Sequence, residues 1–150
     1  VQVLADNFGN ALHFFERDCS IQRKNQKIVE EAPALNIPED KKQELFKLCT
    51  ECCKKMKYKG AGTFEFLYKD EEFYFIEMNT RLQVEHTVSE MITDFDLVKL
   101  QIGIAAGEKL KISQKDISVR GHAIQCRINP HHLRGMSHRA WASGWDREKP

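Results

Sequence analysis

The sequence predicts an α+β fold, a mostly antiparallel sheet with packed helices. Three observations carry that reading. Short apolar runs at residues 1–5 and 11–15, and again at 63–68 and 73–78, come in pairs joined by tight polar loops. Between the pairs lies a long segment with helical spacing. The order of elements is then strands, helix, strands, helix, strand, with no internal repeat and no low-complexity stretch.

Residues 1–5 form a strand, and Asp6-Asn7-Phe8-Gly9-Asn10 is turn chemistry, so 1–15 reads as a hairpin. Residues 17–27 are polar and basic. A breaker region runs from Pro33 to Pro38, and Pro38 opens a helix with Glu39 and Asp40 in the first turn, where the helix dipole favours acids. Leu45, Leu48, Cys49, Cys52 and Met56 recur at helical spacing, and lysines crowd the end of this helix. Gly60-Ala61-Gly62 ends that segment. Two strands follow at 63–68 and 73–78, then a loop over 79–84 and a short helical piece over 86–91. A clearer helix covers 96–106 and stops at Gly107. The last strand lies within 119–129. Residues 130–150 hold both tryptophans and three histidines with no clear period, and read as a divergent, poorly ordered tail.

Composition narrows the function classes. The 150 residues are 41% hydrophobic and 30% charged, with a formal net charge of +1, which gives no reason to expect a nucleic acid or a membrane surface as partner. No apolar run reaches the ~18 residues of a membrane span. No secretion signal is visible, so a reducing cytoplasm (an organelle if the source is eukaryotic) is the expected setting. Three of the five cysteines sit as C-x-x-C-C at Cys49, Cys52 and Cys53. No second knuckle is suitably spaced, so they read as ordinary reduced helix cysteines, with a metal or redox role as the alternative.

The chemistry concentrates between residues 64 and 85. The stretches 64–68 and 73–77 are apolar on both faces and read as strands buried on both sides. Each carries one acid, Glu65 or Glu77. With residues 70–72 as the loop, Glu65 faces Glu77, their β-carbons roughly 4.5–5.5 Å apart. Like charges that close repel unless a cation lies between them. Asn79 projects on the same face and adds a third oxygen, a set that suits Mg²⁺ or Mn²⁺. The alternative is a register slipped by one residue, which parts the two acids. Arg81, Gln83 and Glu85 then alternate and in extended chain share one side. A cation, an amide and a carboxylate together can hold a small anion and take its proton. A plain Arg–Glu ion pair is the alternative.

Five stretches resemble the biotin carboxylase family of ATP-grasp ligases: residues 16–27, Glu30-Glu31-Ala32-Pro33, Gly60-Ala61-Gly62-Thr63-Phe64-Glu65-Phe66, the run Glu77-Met78-Asn79-Thr80-Arg81-Leu82-Gln83-Val84-Glu85-His86, and residues 120–129. The resemblance covers residues 1–129 and implies the C-terminal part of an ATP-grasp domain, incomplete, with a C-terminal subdomain starting at about 119–129. It implies that ATP and bicarbonate give carboxyphosphate, and that CO₂ then passes to N1 of biotin on a carrier protein. Glu65, Glu77 and Asn79 would hold two Mg²⁺ or Mn²⁺ ions. Glu85 would be the base that deprotonates bicarbonate, with Arg81, Gln83, the Val84 backbone and Lys27 cradling that anion. Arg127 would stabilise the biotin enolate. Gln22, Asn25 and Lys27 would contact the nucleotide, with Leu67 and Ile76 as walls of the adenine pocket and Glu65 and Glu77 beside the phosphates. The implied partners are the biotin carboxyl carrier protein and carboxyltransferase subunits, and the resemblance allows a homodimer of a full-length parent. The motifs are most like those of the acetyl-CoA carboxylase of fatty acid synthesis. Propionyl-CoA, methylcrotonyl-CoA and pyruvate carboxylases share much of them.

The chain also departs from the pattern. Asn25 stands where many members have His, Thr87 where Pro is usual, and Gln125 where Glu is common. The family's glycine-rich lid and N-terminal nucleotide fold have no counterpart. The chain therefore reads as a fragment, with a truncated non-catalytic remnant as the alternative.

Overall fold

A computed structural model describes residues 1–128. Asn129 and the tail discussed above lie outside the described residues.

The centre is a four-stranded antiparallel sheet in the order β2-β1-β6-β7, formed by β1 (Gln2–Ala5), β2 (Ala11–His13), β6 (Gly60–Lys69) and β7 (Glu72–Asn79). β1 is buried on both faces, and its alternation sorts the core into two halves. Val1, Val3 and Ala5 face α1 (Glu39–Met56) and pack with Leu45, Phe46, Cys49 and Cys53. Leu4 faces the other way, with Leu12, Phe14 and Ala61, against Leu97 and Ile104 of α3 (Leu97–Ala105).

α1 begins after Pro38, keeps Glu39 and Asp40 in its first turn, and ends at Lys57 in the left-handed conformation, φ 51°. Its buried stripe is Lys42, Leu45, Phe46, Cys49 and Cys53. The apolar line read from the sequence was set to one side of this: Leu48 and Met56 are exposed, at 60% and 52%. The buried line is anchored by Phe46, the residue of greatest apolar area on the helix. Burial pushes the Cys49 and Cys53 thiols up, to about 11 and about 12. Thiols that weakly acidic pack as small apolar groups. Gly60 and Gly62 do not end the preceding segment; they open β6. A β-carbon at Gly62 would come within 2.9 Å of the Tyr58 hydroxyl and the Met78 methyl, so glycine is required there.

A second small sheet pairs β5 (Val29–Ala32) with β8 (Ala123–Cys126), Glu30 opposite Gln125. Ala32 of β5 packs on Val88 and Ile92 of α2 (His86–Thr93). The basic segment 17–27, left without elements above, folds into a miniature hairpin of β3 (Gln22–Arg23) and β4 (Gln26–Lys27), with Lys24 and Asn25 in its turn at positive φ.

Arg17 joins these parts. Its side chain is 3% exposed, and its guanidinium uses every N–H it has. Nε donates to Glu30 at 2.9 Å, Nη1 to Gln2 and Ser89 at 2.8 and 3.0 Å, and Nη2 to Thr63 and Gln83 at 3.3 and 2.8 Å. Removing one partner of a buried, hydrogen-bonded ion pair leaves the other charge uncompensated, which costs about 3–5 kcal/mol. Arg17→Met is therefore expected to lower unfolding free energy by about that amount in urea titrations. A loss of under about 1 kcal/mol, the range of an exposed pair, would show that the fork is not structural.

Candidate active site

The outer hairpin sets the carboxylates opposite one another. Asp70 and Glu71 have φ of 51° and 62°, a two-residue turn with both central residues left-handed. Such a turn pairs Lys69 with Glu72 and Phe66 with Phe75. Continued without interruption it would set Ile76 opposite Glu65, the slipped register. A β-bulge at this point inserts Ile76, and Glu65 pairs with Glu77 after all. The facing pair was expected from a three-residue loop; it arises from a two-residue loop plus one bulged residue.

The expectation that both strands are buried on both sides does not hold for their outer halves. Leu67, Tyr74, Phe75 and Ile76 are 50–62% exposed, because no element among the described residues covers the hairpin beyond the bulge. Leu67 and Ile76 do line a cavity of about 290 Å³, together with Gln22, Lys27, Glu30 and Glu65. Five of the seven residues expected at the nucleotide thus surround one cavity. Asn25 lies in the exposed β3–β4 turn, and Glu77 does not line the cavity.

Glu65 is the meeting point of the cluster. Its Oε1 accepts Lys27 Nζ, Asn79 Nδ2 at 2.9 Å and Gln83 Nε2 at 2.8 Å. Asn79 Nδ2 also reaches Glu77 Oε1 at 3.1 Å. Burial pushes the Glu65 carboxyl up, but the bonds from Lys27 and Gln83 outweigh it and hold the group below its ordinary range. Burial also opposes the charge on Lys27, but its bond to Glu65 and the negative charge of Glu65 and Glu30 nearby together raise the ammonium. The positive charge beside Glu65 is thus an ammonium supplied by β4.

These residues also fit a divalent cation. Glu65 and Glu77 share a face, and among the described residues no hydrogen-bond donor reaches Glu65 Oε2 or Glu77 Oε2, leaving oxygen lone pairs free on both. Asn79 now turns its NH₂ to the acids, and a half-turn of the amide would offer oxygen instead. Among the described residues no group of three or more His, Cys, Asp or Glu side chains forms a metal cage, so the set is two carboxylates and an amide.

The expected alternation of Arg81, Gln83 and Glu85 on one side does not occur. Gln83 is 5% exposed and drawn inward between Arg17 and Glu65, while Arg81 is exposed and donates to its neighbour Leu82 carbonyl at 3.4 Å. The chain turns at Val84 and Glu85 to enter α2, which breaks the extended geometry. Val84 is 61% exposed. Glu85 instead joins Arg127, Lys27, Glu30 and Gln125 around a small cavity of about 10 Å³. Lys27 lines both cavities and links them.

Sequence reasoning missed Arg17 and Glu30. Arg17 reads as one more residue of a polar, basic segment. The available signal was the run 29–32, where Glu30 takes an inward position alternating with Ala32, since a buried acid needs a partner.

Residues 1–113 match the family described as carbamoyl-phosphate synthase L chain, ATP binding domain, and the chain belongs to it. Within that family its likeness is to biotin carboxylases. It is 61% identical over 131 residues to the biotin carboxylase of Allochromatium vinosum, covering 87% of this chain and 29% of the relative. It is 54% identical over 129 residues to the mitochondrial methylcrotonoyl-CoA carboxylase subunit alpha of Mus musculus, covering 85% of this chain and 18% of the relative. The biotin carboxylase domain dimer of Hydrogenobacter thermophilus 2-oxoglutarate carboxylase, solved with MgADP, ADP and bicarbonate, superposes with a TM-score of 0.81 at 53% identity, over 84% of this chain and 28% of that one. The chain thus spans under a third of the length of the relatives it matches. Its α+β architecture is the ATP-grasp portion of such a domain. No helix among the described residues is long and apolar enough to cross a membrane.

The Lys27–Glu65 pair gives a pH signature. Glu65 is held below its ordinary value of 4.5, so its contribution to stability is present above that pH and is lost as pH falls through the lower folded value. Lys27 is raised above 10.5, so its contribution is present below that pH and disappears as pH rises through the higher folded value. Melting temperature followed against pH should fall in acid, and Glu65→Gln should flatten that acid limb. An unchanged limb would remove the pair as its source.

Proposed function

We propose that this chain carries the ATP- and bicarbonate-handling part of a biotin carboxylase. ATP and bicarbonate give carboxyphosphate and ADP, and CO₂ is then passed to N1 of biotin on a carrier protein. The observation that carries this is the cluster on one sheet face: Glu65 facing Glu77, with Lys27, Asn79 and Gln83 on Glu65, at the edge of the 290 Å³ cavity.

Within that reading each residue has a task. Gln22, Leu67 and Ile76 bound the nucleotide, with Asn25 at the rim. Glu65, Glu77 and Asn79 would hold Mg²⁺ or Mn²⁺. A cation there offsets charge on the transferred phosphoryl group when nucleotide is bound. Lys27 points a second positive charge at the same region. Gln83 has its carbonyl anchored on Arg17, so its amide can only donate toward the site. Glu85 takes the bicarbonate proton, and Arg81 and the Val84 backbone close the anion cradle from the exposed side. Arg127, beside Glu85, stabilises the oxyanion of the biotin enolate. Residues 1–129 then form the catalytic part, the region from about 119 beginning the next subdomain.

The carboxyl acceptor we assign is acetyl-CoA, through carrier and carboxyltransferase subunits, in the cytoplasm or an organelle. Supporting this, three bacterial chains named biotin carboxylase are 59–61% identical, above the 51–54% of subunits named for pyruvate, methylcrotonoyl-CoA or 2-oxoglutarate carboxylases, although the Nostoc biotin carboxylase, at 52%, falls within that lower band.

Glu85→Ala in a full-length parent should abolish carboxylation, a direct proton-transfer role being worth 10²–10⁴ in rate, with nucleotide and metal binding nearly intact. Unchanged turnover would remove Glu85 as the base. The 150-residue chain by itself should hydrolyse ATP negligibly, because it covers under a third of its relatives. Biotin-dependent ATPase activity from it would overturn that expectation.

A further inference from the structure

Glu30 has no task in the reading above, yet it sits where the two cavities meet. It lines the larger one on one side and, with Glu85, Lys27, Gln125 and Arg127, the smaller one on the other. It is 3% exposed. Its Oε1 accepts Arg17 Nε at 2.9 Å, while Oε2 is buried with no hydrogen-bond partner among the described residues. A buried carboxylate oxygen left unbonded is costly, and native structures resolve such cases with a bound water or a proton. The small cavity, about 10 Å³, has room for about one water, and its walls are polar enough to hold one.

We propose that Glu30 relays protons out of the site, receiving them from Glu85 through a single water held in the small cavity. This rests on the reading of Glu85 as the base. Glu85 takes a proton from each bicarbonate and must lose it before the next turnover. The step balances as a proton shift: the O–H bond on Glu85 breaks as the water gains a proton, and one of the water's own protons moves to Glu30 Oε2. No electrons are exchanged. Glu30 then releases its proton into the larger cavity. The charged and titratable groups around Glu30 are Arg17, Lys27, Arg127, Glu85 and the Cys19 thiol. Burial raises the Glu30 carboxyl against the pull of Arg17, and Glu85 adds to the rise, which suits a group that accepts and gives up protons. Glu30 acts through Glu85 and touches no substrate.

The test uses Glu30→Gln in the full-length parent. The amide oxygen still accepts from Arg17 but the compensating charge is lost, so melting temperature should fall while the KM for bicarbonate holds. kcat should fall on the order of 10-fold, less than for loss of the direct base. A small buffer base should restore the rate, and the solvent deuterium effect on kcat should rise. A purely structural role would move melting temperature and KM together and would not respond to buffer. Wild-type kcat in Glu30→Gln would overturn the relay. Should that variant fail to fold, a high-resolution crystal structure of the unmodified parent decides. An ordered water within ~3.2 Å of both Glu30 Oε2 and the Glu85 carboxylate supports the relay, and a cavity filled by a side chain overturns it. Glu85→Ala separates the two ideas. Full activity there removes the base itself, whereas an inactive Glu85→Ala beside a fully active Glu30→Gln removes only the relay.

Discussion

The rest of the structure depends on the five hydrogen bonds of Arg17. A planar guanidinium offers its donors in one fixed fork, and here each meets an oxygen from a different part of the chain. Gln2 comes from the sheet centre, Thr63 from its neighbour strand, Glu30 from the second sheet, Ser89 from α2 and Gln83 from the site loop. No apolar contact could fix five elements at one point with that angular definition. A lysine could not either, having three donors and no plane. The two apolar halves of the core hold the sheet between its helices; Arg17 sets where the second sheet and the site loop rest on it.

That anchoring passes into the chemistry by orientation. An amide has one acceptor end and one donor end. With the acceptor end of Gln83 taken by Arg17, the donor end faces Glu65, which already holds the Lys27 ammonium and the Asn79 amide. Polarity therefore runs one way along the chain of bonds, from a buried cation to a carboxylate that stays ionised. A preorganised arrangement of this kind costs little reorganisation when charge develops nearby.

Much of this was legible in the sequence. α1 and α3 follow from capping and spacing: α1 starts right after Pro38 as expected, and α3 lies within one residue of its expected bounds, while the glycines expected to end the α1 segment open β6 instead. The two hairpins follow from paired apolar runs and turn chemistry. Glu65 opposite Glu77 was also legible, though two offsetting details, a shorter turn and a bulge, lay behind it. What escaped was what periodicity cannot carry. Arg17 and its partners Gln2 and Ser89 are separated by up to 72 positions, and nothing local in a sequence tells a buried arginine from a solvated one. The alternation of Arg81, Gln83 and Glu85 misled because it assumed extended backbone, whereas the approach to α2 turns the chain. Exposure of Leu67 and Ile76 escaped for a related reason: an apolar strand says that something covers it, not whether the cover lies within these residues.

The outer end of β7 has a further consequence for how the chain behaves in solution. β7 is an edge of the four-stranded sheet, and Tyr74, Phe75 and Ile76 lie half-exposed or more along it. An apolar edge with unpaired backbone groups is a template for adding another strand. Among the described residues this side is therefore an adhesive surface, flanked by the charged tip of Lys69, Asp70, Glu71 and Glu72. Whatever covers that edge in a longer chain therefore serves as a shield against aggregation as well as a wall for the cavity beneath it.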